Sequence, residues 1–290
     1  MCMDDLIISF APTGMVPTKE MTPYVPVSVS EIVEDVHRAC EIGITTVHLH
    51  ARDESGRPTY KAEVYGDIIG RIRAFAPELI ICVSLSGRGF KEFEQRSEPL
   101  GLEGMLKPDM GSLTLSSMNF STAVSVNTPD MVQRLAGEMK RRGILPELEV
   151  FDLGMVNYAK YLTAKDLLKP PYYFNLFFGN VSGAQAELLT AGTIISSLPA
   201  QSYWSFGGIG NAQLAMNTVS VALGGGVRVG LEDNIWYDTA RTRLAGNSDL
   251  LERVHRLAQE QGRRVMPPAM LRKKLNLEAG NGKYGMASSV

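Results

Sequence analysis

The chain has 290 residues and an ordinary globular composition, with 44% hydrophobic and 21% charged residues and a formal net charge of −2. This length suits one large α/β domain or two smaller ones, and the charge argues against nucleic acid or an anionic membrane as a partner, since either favours a basic surface. No apolar run approaches the roughly 20 residues that cross a bilayer, and the acidic N-terminus is unlike a signal peptide. Cys2, Cys40 and Cys82 lack metal-type spacing, which predicts reduced thiols in a cytoplasmic protein.

Strand-like apolar runs alternate with helical patterns along the chain. The predicted strands span residues 6–12, 45–50, 79–84, 111–116, 148–153, 172–178, 203–209 and 227–231. Helical patterns follow them at 28–40, 62–75, 88–106, 129–142, up to about 168, 184–198, 214–223 and 239–261. The first helix begins with a capping box, in which Ser28 is followed three residues later by Glu31.

Eight strand–helix repeats within about 260 residues, without a linker, predict a (β/α)8 TIM barrel that forms a single domain over residues 1–290. The segment from about residue 268 is basic and then glycine-rich, so we expect a loosely ordered tail there. A doubly wound open sheet is the alternative fold. It is disfavoured because the turn at 11–15 lacks the G-x-G-x-x-G phosphate motif.

The end of the second predicted strand carries two of the four histidines, His48 and His50. Side chains two apart in a strand point to the same face, so both imidazoles can reach one metal ion. By itself a His-x-His pair is weak evidence, and histidines that bind no ligand are the alternative.

Polar residues gather at the ends of several other predicted strands, where the active site of a barrel enzyme lies. They are Ser84, Ser86 and Gly87, then Ser112, Thr114, Ser116, Ser117 and Asn119, then Glu147, Glu149 and Asp152, and finally Arg228, Glu232, Asp233 and Asn234. This convergence favours a catalytic metal over a chance pair of histidines.

Glu232 is the natural third metal ligand, because two imidazoles and one carboxylate form a catalytic zinc set with an open position. The alternative is that Glu232 and Asp233 cap a following helix. Asp233 and Arg228 are candidates for an ion pair that orients the aspartate as a base, and a purely structural salt bridge is the other interpretation.

The remaining polar residues have simpler predicted roles. The hydroxyls after the third and fourth strands suit a carboxylate of the substrate, although Ser116 and Ser117 are better read as small interior residues. Glu147 and Glu149 lack a histidine nearby in sequence and are expected to be interior carboxylates paired with arginine. His37 and His255 lie in helical patterns and are expected to do no chemistry, and Cys82 has no histidine to activate it as a nucleophile. Glu147, Glu149, His37, His255 and Cys82 are therefore not expected to bind the metal or the substrate.

Several ordered blocks resemble the β-keto acid cleavage enzyme family. They are VHLHAR at 47–52, GRP at 56–58, KPDM at 107–110, SMNF at 117–120, PELEVFD at 146–152, GGIG at 207–210 and RVGLEDN at 228–234. The likeness runs from about residue 7 to residue 270 at compatible spacing, and together the blocks are highly specific.

The resemblance implies a zinc-bearing barrel, usually a homotetramer, that exchanges acyl groups between a β-keto acid and acetyl-CoA and yields acetoacetate and a new acyl-CoA. It assigns zinc to His48, His50 and Glu232. It assigns the acidic end of the substrate to Ser84, Gly87, Ser112 and Thr114, and makes Asp233 and Arg228 the catalytic pair. The sequence has no adenine- or phosphate-binding motif, so acetyl-CoA enters through the resemblance alone.

One position departs from the members of this family that act on an amino substrate. Those members carry a glutamate that meets the ammonium group, and Val16 stands at that position here. Burying an unpaired cation against valine is costly. We therefore expect the reaction to persist with a β-keto acid whose tail is uncharged or apolar.

Three other functions are compatible with parts of the pattern. An amidohydrolase-type enzyme places His-x-His on its first strand and needs further histidines on later strands, which this chain lacks. A CoA-independent aldolase or lyase would use the same enolate chemistry. A metal-containing binding barrel without turnover is the non-enzymatic alternative.

Overall fold

The computed structural model describes residues 5–287 and contains a closed barrel of eight parallel strands. The barrel strands are β1 (Ile8–Phe10), β2 (Thr46–Leu49), β3 (Ile80–Val83), β4 (Met110–Thr114), β5 (Leu145–Val150), β6 (Tyr172–Phe178), β7 (Ser202–Gly208) and β8 (Gly226–Val229). Neighbours in sequence are neighbours in the barrel, and β8 closes it by pairing Val227 with Ile8 and Val229 with Phe10. The predicted (β/α)8 barrel is confirmed, and the open sheet is excluded.

Helices surround the strands. They are α1 (Val29–Ile42), α2 (Ala62–Phe75), α3 (Phe93–Ser97), α4 (Pro129–Arg142), α5 (Leu153–Ala164), α6 (Leu188–Ser197), α7 (Ala212–Leu223), α8 (Asn247–Glu260) and α9 (Pro268–Lys274). Two short hairpins, which pair 51–52 with 58–59 and 118–119 with 124–125, lie beyond strands β2 and β4. Within residues 5–287 no helix has the length and apolar character needed to cross a membrane.

Alternation along the strands explains why the barrel interior is polar near one end. In β2, Val47 and Leu49 belong to the main hydrophobic core, whereas His48 and His50 take the other face. In β5, Leu148 and Val150 likewise join that core. Because the side chains of a strand alternate between faces, each core-facing residue leaves its neighbours directed into the barrel.

Local signals fix the starts of several helices. Ser28 Oγ accepts a hydrogen bond from the Glu31 backbone N–H, and a Glu31 carboxylate oxygen accepts from the Ser28 backbone N–H, so the predicted capping box is present. Asp152, which lay among the polar strand-end residues in the sequence, caps α5 by accepting from the Met155 backbone N–H at 3.1 Å.

Two predicted helices are shorter than expected. Helix α8 begins at Asn247 and not near residue 239, because the Asp238 carboxylate accepts backbone hydrogen bonds from Thr242 and Arg243 and stabilises a loop instead. The segment 88–106 contains only the five-residue α3 and two 3₁₀ turns, since Pro99 and the glycines that follow it oppose a continuous helix.

The C-terminal segment corrects the expectation of a loosely ordered tail. Residues 268–274 form α9, and the Arg272 guanidinium is buried against the Asp109 carboxylate at 2.8 Å. Asp109 precedes β4 at the N-terminal end of the barrel and needs cationic partners there, which anchors the tail. Cys2 lies outside the described residues, whereas Cys40 and Cys82 are both free thiols.

Candidate active site

A cavity of about 310 Å³ opens at the C-terminal ends of the strands. Its wall includes His50, Ser84, Ser112, Thr114, Glu149, Arg228, Glu232 and Asp233, and its outer part includes Met15, Val16, Pro17, Met21, Arg88, Phe120, Trp236 and Arg241. Of the residues assigned to the metal, the substrate or catalysis, all but Gly87 and His48 line this cavity, whereas the other strand-end residues Ser116, Ser117, Asn119, Glu147 and Asp152 do not. The cavity lies where barrel enzymes place their active sites.

His48, His50 and Glu232 converge at the base of the cavity. The Nε2 atoms of the two histidines are 3.3 Å apart, and Glu232 Oε1 lies 3.1 Å from the Nε2 of His50 and 4.0 Å from that of His48. Two nitrogen ligands of a tetrahedral zinc, each about 2.0–2.1 Å from the metal, lie about 3.3–3.4 Å apart. Two of the three spacings are close to this value and the third, 4.0 Å, is longer, so the three atoms surround a point where one divalent metal ion could bind.

The orientation of His48 also fits a metal ligand. His48 Nδ1 lies 2.5 Å from Glu147 Oε2, and since an ionised carboxylate can only accept, Nδ1 carries a proton and Nε2 is the ring nitrogen directed toward His50 and Glu232. Both groups are fully buried. The second carboxylate oxygen of Glu232 is buried and has no hydrogen-bond partner among the described residues, which leaves it free to bind a metal.

Arg228 connects the metal-binding carboxylate to the candidate base. Its Nη2 donates to Glu232 Oε1 at 2.7 Å and its Nε to Asp233 Oδ2 at 3.0 Å. Burial raises the pKa of Asp233 to about 6 although Arg228 opposes that shift, whereas Arg228 and the two imidazoles outweigh burial and hold the pKa of Glu232 well below its usual range. The two adjacent carboxyls are thus electrostatically distinct, as a ligand and a base must be.

The alternative in which Glu232 and Asp233 cap a helix is wrong, because the next helix begins at Asn247. The turn that carries them is instead held against the loop after β1. The Glu232 backbone N–H donates to the Ala11 carbonyl at 3.2 Å, and a Cβ at Gly14 would fall 2.5 Å from Glu232 Cγ. Gly14 also has a φ of +73°, so only glycine allows this approach easily.

The hydroxyls predicted for the substrate carboxylate lie together on the wall formed by β3 and β4. Ser112 Oγ accepts from the Leu85 backbone N–H at 3.0 Å, so its own hydrogen is free to donate into the cavity. Thr114 Oγ1 donates to Glu149 at 2.5 Å. Gly87 packs against the hairpin segment, where a Cβ would fall 2.3 Å from the Val126 carbonyl oxygen.

Glu147 is an interior carboxylate with Arg228 Nη1 at an ion-pair distance of 3.9 Å, as expected, but its hydrogen-bond partner is a histidine that the sequence did not indicate. The barrel brings β2 and β5 face to face across its interior, so Glu147 bonds His48. Cys82 also donates to Glu147, and burial together with this carboxylate raises the pKa of the thiol well above its usual value. Cys82 therefore stays protonated, in line with its expected inertness.

Arg88 is a cavity residue that the sequence did not single out. Its guanidinium lies over the Phe120 ring, 3.8 Å from the centroid, on the loop after β3. Its only sequence signal was a position two residues past Ser86 in a polar strand end, which does not distinguish it from other surface arginines. Val16, in contrast, lies on the cavity wall and is partly exposed, as its position after β1 predicted.

Together these features define a barrel enzyme with a buried two-histidine, one-carboxylate metal-binding geometry and an adjacent aspartate base. The chain matches the family model described as beta-keto acid cleavage enzyme over residues 5–277. It belongs to this family, and the predicted class of acyltransferase that cleaves a carbon–carbon bond is confirmed.

Relatives cover nearly the whole chain. The chain is 34% identical to 3-keto-5-aminohexanoate cleavage enzyme of Acetoanaerobium sticklandii over 95% of its length and 99% of that protein. It is 37% identical to 3-oxoadipate:acetyl-CoA acetyltransferase of Cupriavidus necator over 93% of its length and 94% of that protein. Among solved structures, the ternary complex of ObcA with C4-CoA adduct and oxalate has a TM-score of 0.75 at 22% identity, covering 88% of this chain and 68% of that one. That likeness concerns the fold alone.

Proposed function

We propose that the enzyme is zinc-dependent and exchanges acyl groups between a β-keto acid and acetyl-CoA, releasing acetoacetate and a new acyl-CoA. The observation that carries this proposal is the convergence of His48, His50 and Glu232 on one point beside the Asp233–Arg228 pair. The names of relatives such as 3-oxoadipate:acetyl-CoA acetyltransferase support acetyl-CoA as the co-substrate.

The wall of hydroxyls binds the carboxylate of the β-keto acid in this proposal. Ser84 and Ser112 donate from the wall, and Thr114 turns its hydroxyl from Glu149 to the substrate. Gly87, which the resemblance also assigns to this role, lies between the lining residues Ser86 and Arg88 and outside the lining itself. Zinc held by His48, His50 and Glu232 would act as a Lewis acid on the β-keto oxygen and so favour loss of a proton from the adjacent carbon.

Asp233 is the proposed base. In its ionised form it takes a proton from the carbon between the keto group and the carboxylate, while Arg228 holds its carboxyl in place. That carbon forms a bond to the acetyl carbonyl carbon, and the bond to CoA sulfur breaks. The released thiolate then bonds to the original β-keto carbon, the carbon–carbon bond breaks, and the proton on Asp233 returns to the departing acetoacetate.

Zinc analysis and turnover test the proposal together. We expect purified protein to contain about one zinc per chain and to form acetoacetate from β-keto acids only when acetyl-CoA is present. The His48→Ala variant should lose both. His255→Ala is the control, since His255 bonds the Gly43 carbonyl at 2.8 Å far from the site. Full zinc content in His48→Ala would contradict the assignment.

The proposed substrate carries no cationic group at its far end. Val16 lies with Met15, Pro17 and Met21 on the cavity wall, and none of these side chains can pair with an ammonium. Turnover of a 5-amino β-keto acid at a rate equal to that of its uncharged analogue would contradict this part.

We further propose that the enzyme works as a cytoplasmic homotetramer. The free thiols of Cys40 and Cys82 support a reducing compartment. Leu188 and Leu189 at the start of α6 are 71% and 83% exposed, which supports a subunit contact that covers them. Light scattering after size exclusion measures the state, and a monomer at micromolar concentration would contradict it.

A further inference from the structure

Arg88 is distinguished from the other arginines near the cavity by its lack of partners. Arg52 donates to three backbone carbonyls, and Arg228 is held by Glu232 and Asp233. Arg241, at the cavity rim, donates to Asn211. Within residues 5–287, the Arg88 guanidinium has neither a hydrogen bond nor an ion pair, and its contact is the face of Phe120.

An aromatic row separates Arg88 from the reacting centre. Arg88 lies over Phe120, whose ring meets Phe151 at 5.8 Å, and Phe151 stacks on Phe177 at 4.5 Å. Arg228 lies over Phe177 at 5.0 Å. All three rings line the cavity, so one guanidinium lies at each end of the same wall. A substrate that reacts beside the Asp233–Arg228 pair can lay its tail along this row toward Arg88.

The carboxylates of Glu232, Asp233 and Glu149 attract the Arg88 guanidinium through space, but none of them forms a hydrogen bond or ion pair with it among the described residues. The loop after β1 packs against the loop that carries Arg88, since a Cβ at Gly89 would lie 3.0 Å from Met15 Cε. That facing loop contributes Met15, Val16 and Pro17 to the cavity, none of which is anionic. Contact with the Phe120 ring holds the Arg88 guanidinium, whose N–H groups have no hydrogen-bond partner among the described residues and can therefore bind a carboxylate by two parallel hydrogen bonds.

We propose that Arg88 binds a second carboxylate at the far end of the substrate, so that this enzyme acts on β-keto dicarboxylic acids. The inference rests on the proposed function and replaces the expected uncharged tail with an acidic one. Arg88 is a specificity-determining residue in this proposal. It takes no part in proton transfer, and the carboxylate it binds is distinct from the one held by the hydroxyl wall.

The test compares two acids of equal chain length, 3-oxoadipate and 3-oxohexanoate, which differ in the distal carboxylate. Binding is measured by titration calorimetry without acetyl-CoA, and turnover is measured with it. We expect wild type to prefer the diacid. Arg88→Met should weaken the binding of the diacid about ten- to a hundredfold. The factor by which it weakens the binding of the monoacid should be at least ten times smaller. Arg88→Lys keeps the positive charge but loses the paired N–H donors of the guanidinium, so its affinity for the diacid should lie between those of wild type and Arg88→Met.

Two further variants sharpen the result. Arg241→Met is the matched control, because it removes another cavity arginine that already has a partner, and it should change the binding of both acids by the same factor. Val16→Glu places an anion on the facing loop and should reduce the preference for the diacid by pairing with Arg88 and repelling the substrate.

Several outcomes would overturn the proposal. Equal losses for both acids in Arg88→Met would show that Arg88 does not read the distal carboxylate. A rise confined to the KM for acetyl-CoA would assign Arg88 to CoA phosphates. Unchanged binding of both acids by Arg88→Met would show that water, and not the substrate, accepts the hydrogen bonds of the Arg88 guanidinium. Absence of acetoacetate formation from either acid by wild type would refute the proposed function alone, because the binding measurement needs no turnover.

Discussion

The two ends of the barrel both bury arginine against carboxylate, but only at the N-terminal end are both oxygens of the central carboxylate occupied. At the N-terminal end, Asp109 accepts from Arg73, from Arg272 and from the Ile81 and Gly285 backbone N–H groups, at 2.7 to 3.1 Å. Both oxygens of Asp109 are thereby satisfied. This cluster has no acceptor left for a ligand, and it ties α2, β3, β4 and α9 together.

At the C-terminal end, the cluster around Arg228 leaves polar atoms unused. Arg228 Nη1, Glu232 Oε2 and Glu147 Oε1 are buried without hydrogen-bond partners among the described residues. An unpaired buried polar atom costs about 1–3 kcal/mol, so unused carboxylate oxygens beside an unused guanidinium N–H favour a bound partner there. In the N-terminal cluster, as far as the structure describes it, Arg73 Nε lacks a partner, but no carboxylate oxygen does. The comparison teaches that free carboxylate oxygens distinguish the functional cluster from the structural one.

The largest expected effect is loss of activity when the cluster around Arg228, at the C-terminal end of the barrel, is changed. Asp233→Asn preserves shape and removes the base, so kcat/KM for acetoacetate formation should fall about 10²- to 10⁴-fold. Thermal unfolding of the variant should stay close to that of wild type, because Arg228 keeps Glu232 as a partner. Activity within tenfold of wild type would remove Asp233 from the role of base.

A change in the cluster around Asp109, at the N-terminal end of the barrel, should cost a comparable free energy, but this cost should appear in the free energy of unfolding and not in the activity. Asp109→Asn leaves two buried guanidinium groups short of a counter-charge and should lower the free energy of unfolding by about 3–5 kcal/mol in urea titrations. The folded fraction should retain its kcat/KM. Asp166→Asn, which removes an exposed pair with Lys140, is the control and should cost at most about 1 kcal/mol. Equal losses of unfolding free energy in Asp109→Asn and Asp166→Asn would show that the Asp109 cluster stabilises the fold no more than an exposed ion pair does.

A smaller effect is expected behind the metal ligands. Glu147→Gln keeps a hydrogen-bond acceptor for His48 but loses the charge, so zinc affinity in a chelator competition should fall about 10- to 100-fold. Glu149→Gln on the same strand is the matched control, since Glu149 bonds Thr114 and not a histidine. Identical zinc affinities in the two variants would show that Glu147 does not orient His48.

The smallest and most graded effect is on pH dependence. Burial raises the pKa of Asp233 to about 6, so protonation on its acid side removes the base, and kcat/KM should fall with a midpoint at or below pH 6, since a bound cation lowers it further. Arg73 and Arg272 outweigh burial and lower the pKa of Asp109, so its contribution to stability is present above about pH 4 and is lost only at lower pH. If the protein unfolded over the same pH range in which kcat/KM falls, the assignment of activity to Asp233 and of stability to Asp109 would be contradicted.

Much of the fold was predictable from local pattern. The alternation that placed Val47 and Leu49 in the core also directed His48 and His50 inward, and the capping box at Ser28 and Glu31 began α1 where expected. The limits appeared where side chains compete with helix formation. The Asp238 carboxylate accepts hydrogen bonds from two backbone N–H groups and so stabilises a loop where a helix was predicted. The periodicity of hydrophobic residues does not reveal such competition between a side chain and the helix.

By itself the sequence determined the barrel, the inward face of each strand and the identity of the three candidate metal ligands, because these follow from a period of two residues and from the position of strand ends. Only the tertiary structure decided the partners. Glu147 meets His48 from 99 positions away, Arg272 reaches Asp109 from 163 away, and Arg88 has no hydrogen-bond or ion-pair partner within residues 5–287. The physical reason is that pairing of buried charges depends on which strands and loops face one another across the closed barrel, and spacing along the chain does not encode it.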